Sequence, residues 1–174
     1  MTALRKGLKE AIENEQGKTM KAIYLDVCCL NRPFDNQRQE RIKLESEAII
    51  LIFKHIETND WHWISSEVVD FEVNKTPNIE RKQRIQSLKI FPHRFVLLDD
   101  NIIQRADILQ NKGFGSYDAL HIACAEQGQV ELFLTTDDKL LKSAARYQQE
   151  LKVRIINPLH WLQEVLYEPR NDLS

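Results

Sequence analysis

Five carboxylates sit where this chain could do chemistry. Asp26 closes the apolar run Ile23-Tyr-Leu-Asp-Val. A charge inside an apolar strand is costly to bury without a cation or hydrogen bonds. Asp118 opens the pattern Asp-Ala-Leu-His-Ile-Ala-Cys-Ala after the flexible Gly113-Phe-Gly-Ser segment. Asp137 and Asp138 follow the apolar Leu132-Phe-Leu-Thr-Thr, and Glu72 ends Ser65-Ser-Glu-Val-Val-Asp-Phe-Glu. Singly, each has an ordinary use. Asp118 or Asp137 complements or caps a helix start, worth about 0.5–2 kcal/mol. Glu72 is a solvated helix residue, and Asp26 caps the turn that follows it. Together, converging carboxylates repel one another unless something positive intervenes. Oxygen-only ligands suit a hard divalent cation such as Mg²⁺ or Mn²⁺. Such an ion can generate a hydroxide nucleophile and stabilise both oxygens of an in-line phosphoryl displacement. The chemistry indicated is metal-dependent hydrolysis of a phosphodiester.

The elements must bring these acids together. Ala22–Val27, Trp61–Ile64, Phe95–Leu98, Glu131–Thr135 and Val153–Ile156 read as strands. Helical patterns fall between them, over Arg41–Thr58, Ser66–Lys75, Ile79–Lys89, Ile102–Asn111, Tyr117–Gln127 and Lys139–Gln149. A short last helix, Leu159–Leu166, follows Pro158. Strands separated by helices predict a parallel sheet covered on both faces. Right-handed crossovers then put every strand C-terminus on one edge, where such sheets place their ligand crevice. Asp26, Asp118 and Asp137 all belong to that edge. Residues 1–19 read as a polar helical extension, with Leu4, Leu8, Ala11 and Ile12 as a weak apolar stripe. Residues 20–174 read as one domain.

The composition excludes several classes. The chain has 174 residues, 43% hydrophobic and 29% charged, which is globular and not disordered. Its 24 Lys plus Arg against 26 Asp plus Glu leave no global positive field for nucleic acid, so such binding must rest on local patches. Apolar stretches are too short for a membrane span, and the odd count of 3 cysteines predicts no disulfide framework. A cytoplasmic location is expected. Asp26 lacks the second Asp two residues on that an aspartyl-phosphate phosphatase needs. Cys28 and Cys29 have Phe34 and Asp35 where a cysteine phosphatase needs Arg. No glycine-rich phosphate loop is present.

Four segments together resemble the PIN-domain family of metal-dependent ribonucleases, which includes VapC-type toxins. They are Tyr24-Leu-Asp-Val-Cys-Cys-Leu-Asn-Arg-Pro-Phe-Asp, Ser65-Ser-Glu-Val-Val-Asp-Phe-Glu, Ser116-Tyr-Asp-Ala-Leu-His-Ile-Ala and Leu134-Thr-Thr-Asp-Asp-Lys-Leu-Leu. They occur in the family's order between about Met20 and Pro158. The resemblance implies an α/β/α sandwich and four metal-binding acids, which map onto Asp26, Glu72, Asp118 and Asp137. It implies an endoribonuclease using Mg²⁺ or Mn²⁺ and water, leaving 5′-phosphate and 3′-hydroxyl ends. A homodimer and an antitoxin partner follow from the same resemblance. A catalytically silent RNA- or protein-binding module is the competing reading. Glu67, Asp70 and Asp138 are acidic neighbours that could be confused with the four. Asp70 lies two residues from Glu72 and cannot share its helix face.

Other residues near the site are read structurally. Arg32 is assigned to a turn with Asn31, Pro33 and Asp35, and Ser116 to a helix cap. His121, one turn after Asp118, is read as a packing histidine with local hydrogen bonds. Arg81, Lys82, Arg84, Lys89, His93 and Arg94 form a basic run, read as a solvated face that could track RNA. Trp61, Trp63 and Trp161 are candidate base-stacking residues, with one of Trp61 and Trp63 expected in the core and the other outside.

Overall fold

The computed structural model describes residues 21–88 and 91–167. The proposed 1–19 extension lies outside these residues. Five strands form one parallel sheet: β1 (Lys21–Leu25), β2 (Trp61–Ser66), β3 (Arg94–Val96), β4 (Leu132–Leu134) and β5 (Arg154–Ile156). Their order is β3-β2-β1-β4-β5, and every neighbouring pair is parallel. The helices are α1 (Val27–Asn31), α2 (Glu40–Glu57), α3 (Glu67–Asn74), α4 (Ile79–Ser87), α5 (Asp100–Asn111), α6 (Ser116–Gln127), α7 (Asp138–Arg146) and α8 (Pro158–Tyr167). The expected parallel α/β/α sandwich is the observed fold.

Alternation along the strands supplies two apolar faces. On one face Trp61 packs on His55 of α2 and Trp161 of α8, with ring centroids 4.3 and 4.7 Å away. On the other, Tyr24 stacks on Phe133 at 5.2 Å and meets His121 of α6 edge-on at 5.7 Å. Trp61, Trp63 and Trp161 are all buried. This corrects the expected split of Trp61 and Trp63, since strand residues two apart share a face. None of the three is available to stack a base.

The expected elements are present with shifted ends, and one was missed. Val27–Asn31 forms α1 directly after Asp26, so Cys28 and Cys29 lie on a helix, not at a strand end. Ser116 does not cap α6: Gly115 occupies the cap and Ser116 bonds Gln110. Asp99 caps α5, where its Oδ1 accepts from Ile102 N–H at 2.9 Å and its Oδ2 from Gln127 at 2.9 Å. Asp99→Ala is expected to cost about 1–2 kcal/mol in urea unfolding, the upper part of the usual cap range because a second bond is lost.

The turn after α1 is structural, as its composition predicts. Arg32 bonds Asp35 at 3.1 Å, and Ser46 donates to the Arg32 carbonyl at 2.9 Å. Arg32 Nε lies 2.8 Å from Glu45 Oε2. All three arginines of the basic run are likewise engaged within the protein. Arg81 bonds Asp35 at 2.7 Å, Arg84 pairs with Glu80, and Arg94 donates to the Gly128 carbonyl. Lys89 lies outside the described residues.

Candidate active site

Chain order sets the crevice. The chain runs from β1 outward to β2 and β3, then crosses back to β4 and β5 on the other side. The order therefore reverses between β1 and β4, and a parallel sheet opens its crevice at that point, beyond the strand C-termini. Asp26 follows β1 there, and Asp137 follows β4 after Thr135 and Thr136.

Asp26 stands at the N-cap position of α1, but its side chain bonds no helix N–H. Capping therefore does not account for it. It is buried, and its Oδ2 accepts from the Thr135 hydroxyl at 2.7 Å and the Cys28 thiol at 3.3 Å. Thr135 Oγ1 also accepts the Asp137 N–H at 3.1 Å. One buried hydroxyl thus ties two of the acids together. Thr135→Val leaves the Asp137 N–H unpaired and Asp26 without its strongest donor. The expected loss is about 1–3 kcal/mol in urea unfolding, with Thr135→Ser retaining most of it.

Glu72 projects from α3 and bonds His121 Nε2 through Oε2 at 2.7 Å. His121 is buried and reaches Tyr24 through Nδ1, also at 2.7 Å. Asp26, Glu72 and His121 each bring one possible ligand atom within 4.8 Å of the others. Asp118, on the first turn of α6, faces the same cluster. Its carboxyl is pushed up to about 6, first by burial and then by the charges of Asp26, Asp137 and Glu72. Asp118 therefore feels the charges of the other three predicted acids, of which Asp26 and Glu72 bring donor atoms within 4.8 Å of each other. Asp137 is also a helix cap: its Oδ1 accepts from Lys139 N–H at 2.8 Å and Leu140 N–H at 3.2 Å.

The confusable neighbours are engaged elsewhere. Glu67 accepts from Leu98 N–H at 2.7 Å, and Asp138 makes two 2.7 Å bonds with Arg41. Asp70 is exposed on another side of α3. Sequence reasoning missed Tyr24 and Thr135, and it gave His121 the wrong partners. Its bonds reach residues 97 and 49 positions away and are not local. The available signals were a tyrosine two residues before Asp26, on the same strand face, and a histidine three after Asp118.

The donor set fits a hard divalent cation. Asp26 and Glu72 bring carboxylate oxygens within 4.8 Å of each other, and burial together with the charges of Asp26, Asp137 and Glu72 raises the Asp118 carboxyl. A positive ion relieves that repulsion.

The PIN-domain family model matches residues 23–147. The chain belongs to the PIN-domain family. Comparison with curated proteins finds no match. Among solved structures, a chain of VapBC2 from Rickettsia felis, bound to a DNA fragment from their promoter, aligns with a TM-score of 0.51 at 13% identity. The alignment covers 78% of this chain and 98% of that one. The likeness is one of fold.

Proposed function

We propose that the protein is a Mg²⁺- or Mn²⁺-dependent endoribonuclease and the toxin of a toxin–antitoxin pair. The observation that supports this reading is the cluster of Asp26, Glu72 and His121 donor atoms within 4.8 Å of one another, with the raised Asp118 carboxyl beside it, in a chain of the PIN-domain family. Asp26, Glu72, Asp118 and Asp137 would hold the cation. A bound Mg²⁺ or Mn²⁺ supplies activation of water for in-line attack on phosphorus and offsets charge on the departing 3′-oxygen. The chain's own part is positioning. Thr135 fixes Asp26, and the α7 N-terminus fixes one oxygen of Asp137.

An exposed groove of about 630 Å³ is lined by Phe71, Phe95, Leu98 and Tyr117 with Glu67 and Asp70, and Phe71 and Tyr117 are the sequence neighbours of Glu72 and Asp118. Apolar patches of this kind favour protein partners. An antitoxin segment with basic and apolar side chains suits it, and the VapBC2 likeness supports such a partner. The remaining parts of the proposal are a homodimer and a cytoplasmic setting. Among the described residues, no helix is long and apolar enough to cross a membrane.

The test is RNA cleavage on a denaturing gel, with Mn²⁺ or Mg²⁺ against EDTA and Asp118→Asn in parallel. Metal-dependent cleavage absent from the variant is the expected result. A folded, metal-bound wild type that cleaves no RNA across a broad substrate panel favours the silent binding module.

A further inference from the structure

His121 could be read as a fifth ligand, because its ring brings a donor atom within 4.8 Å of those of Asp26 and Glu72. The hydrogen bonds point to a different role. We propose that Ser66, Tyr24 and His121 form a buried relay that positions the Glu72 carboxylate, and that His121 does not itself ligate the metal. This rests on the proposed metal site for its affinity arm and on the nuclease reading for its kinetic arm.

The geometry is continuous. The Ser66 and Tyr24 hydroxyls are 2.7 Å apart, Tyr24 Oη is 2.7 Å from His121 Nδ1, and His121 Nε2 is 2.7 Å from Glu72 Oε2. A carboxylate only accepts, so Nε2 carries the hydrogen on the Glu72 side. In the neutral ring, Nδ1 then accepts from the Tyr24 hydroxyl. Both ring nitrogens are used, and ligation through either would break a short bond.

Burial makes breakage costly. Tyr24 and Ser66 are fully buried and His121 nearly so. A phenol stripped of its partner there would be left unsatisfied. Phe133 stacks on the Tyr24 ring and fixes it. Ser66 also caps α3, accepting from Val69 N–H at 3.4 Å. The start of the helix that carries Glu72 and the Glu72 carboxylate itself are thereby tied to the same tyrosine–histidine pair. Groups that orient a metal-binding side chain in this way typically change affinity or activity about 10–100-fold when removed.

The experiment measures Mn²⁺ affinity by calorimetry and RNA cleavage kinetics for wild type, Tyr24→Phe, His121→Ala, His121→Gln and Glu72→Gln, with a thermal melt on each. His121→Ala is expected to weaken Mn²⁺ binding about 10–100-fold. His121→Gln, whose amide N–H reaches toward Glu72, recovers most of that loss. Tyr24→Phe, which removes one hydroxyl remote from the metal, weakens binding severalfold and lowers kcat with KM for RNA unchanged. Where His121→Ala fails to fold, Tyr24→Phe decides.

Wild-type Mn²⁺ affinity in a folded Tyr24→Phe overturns the relay. So does a His121→Ala loss that Gln does not recover, which would make His121 a ligand. Unchanged affinity in Glu72→Gln overturns it too, because Glu72 would then hold no metal. The expected order of affinities without RNA cleavage defeats the nuclease reading and supports the relay. A wild type that binds no Mn²⁺ defeats both.

Discussion

Asp118→Asn is expected to stabilise the metal-free protein while abolishing its activity. In the folded chain the Asp118 carboxyl titrates at about 6, against an ordinary 3.8, because burial and the charges of Asp26, Asp137 and Glu72 oppose its ionisation. The folded state therefore binds the proton more tightly than the unfolded chain. Its contribution is favourable below about pH 4 and is lost as pH rises towards about 6. At neutral pH the ionised carboxylate costs about 3 kcal/mol at about 1.4 kcal/mol per pKa unit, or on the order of 2 kcal/mol once solvent screening at this partly exposed position is allowed for. Asn removes that cost. Without metal, the variant should melt about 4–8 °C higher than wild type at pH 7.5, and the gap should close near pH 4. Saturating Mn²⁺ should reverse the ranking, since only wild type gains the full binding energy. RNA cleavage should fall at least about 100-fold, the loss of several kcal/mol of metal-derived stabilisation. Melts at two pH values, with Mn²⁺ and with EDTA, check all of this. An unaltered metal-free melt would mean that the carboxylates are not strained together.

Glu45→Ala is expected to produce the largest loss of stability. Glu45 is 1% exposed on α2 and sits among three donors. Arg41 Nε bonds its Oε1 at 2.9 Å, Asn157 donates to the same oxygen at 2.8 Å, and Arg32 Nε lies 2.8 Å from Oε2. Removing the carboxylate leaves the Asn157 amide without this acceptor and takes a counter-charge from the largely buried Arg32, which keeps only Asp35 among the described residues. Breaking such a pair from one side costs about 3–5 kcal/mol. Urea unfolding should show that loss, and Glu45→Gln a smaller one because its amide oxygen still accepts from Asn157. The consequence reaches the site. Arg41 also holds Asp138 at the start of α7, and Asp137 is the adjacent cap. A wild-type unfolding midpoint in Glu45→Ala would contradict this account of how α2 is anchored to the turn after α1 and to the start of α8.

The placement of the candidate acids at strand and helix ends was legible because their positions carried local signals. A charge ending an apolar strand, or opening a helix after a glycine-rich segment, is visible in a few residues. An alternating strand–helix order then supplies the shared edge. What held the acids was not legible. The Tyr24–His121 and Asp26–Thr135 bonds join residues 97 and 109 positions apart, and no local pattern encodes them. The helix Val27–Asn31 was hidden because five residues with two vicinal cysteines extend an apolar strand pattern without a break. The Trp61 and Trp63 expectation failed on simple geometry, since period-two alternation puts both on one face. The basic run showed only charge, and the sequence did not reveal that Asp35, Glu80 and the Gly128 carbonyl would engage its arginines.

The central claim is that Asp26, Glu72, Asp118 and Asp137 form one divalent-cation centre. Calorimetric titration of the metal-free protein with Mn²⁺ at pH 7.5 tests it most directly, with Asp26→Asn and Asp118→Asn alongside. The account predicts saturable binding by wild type and binding at least about 100-fold weaker in each variant, as loss of a charged ligand implies. Folded wild type that takes up no Mn²⁺, or variants that bind it as wild type does, would contradict it.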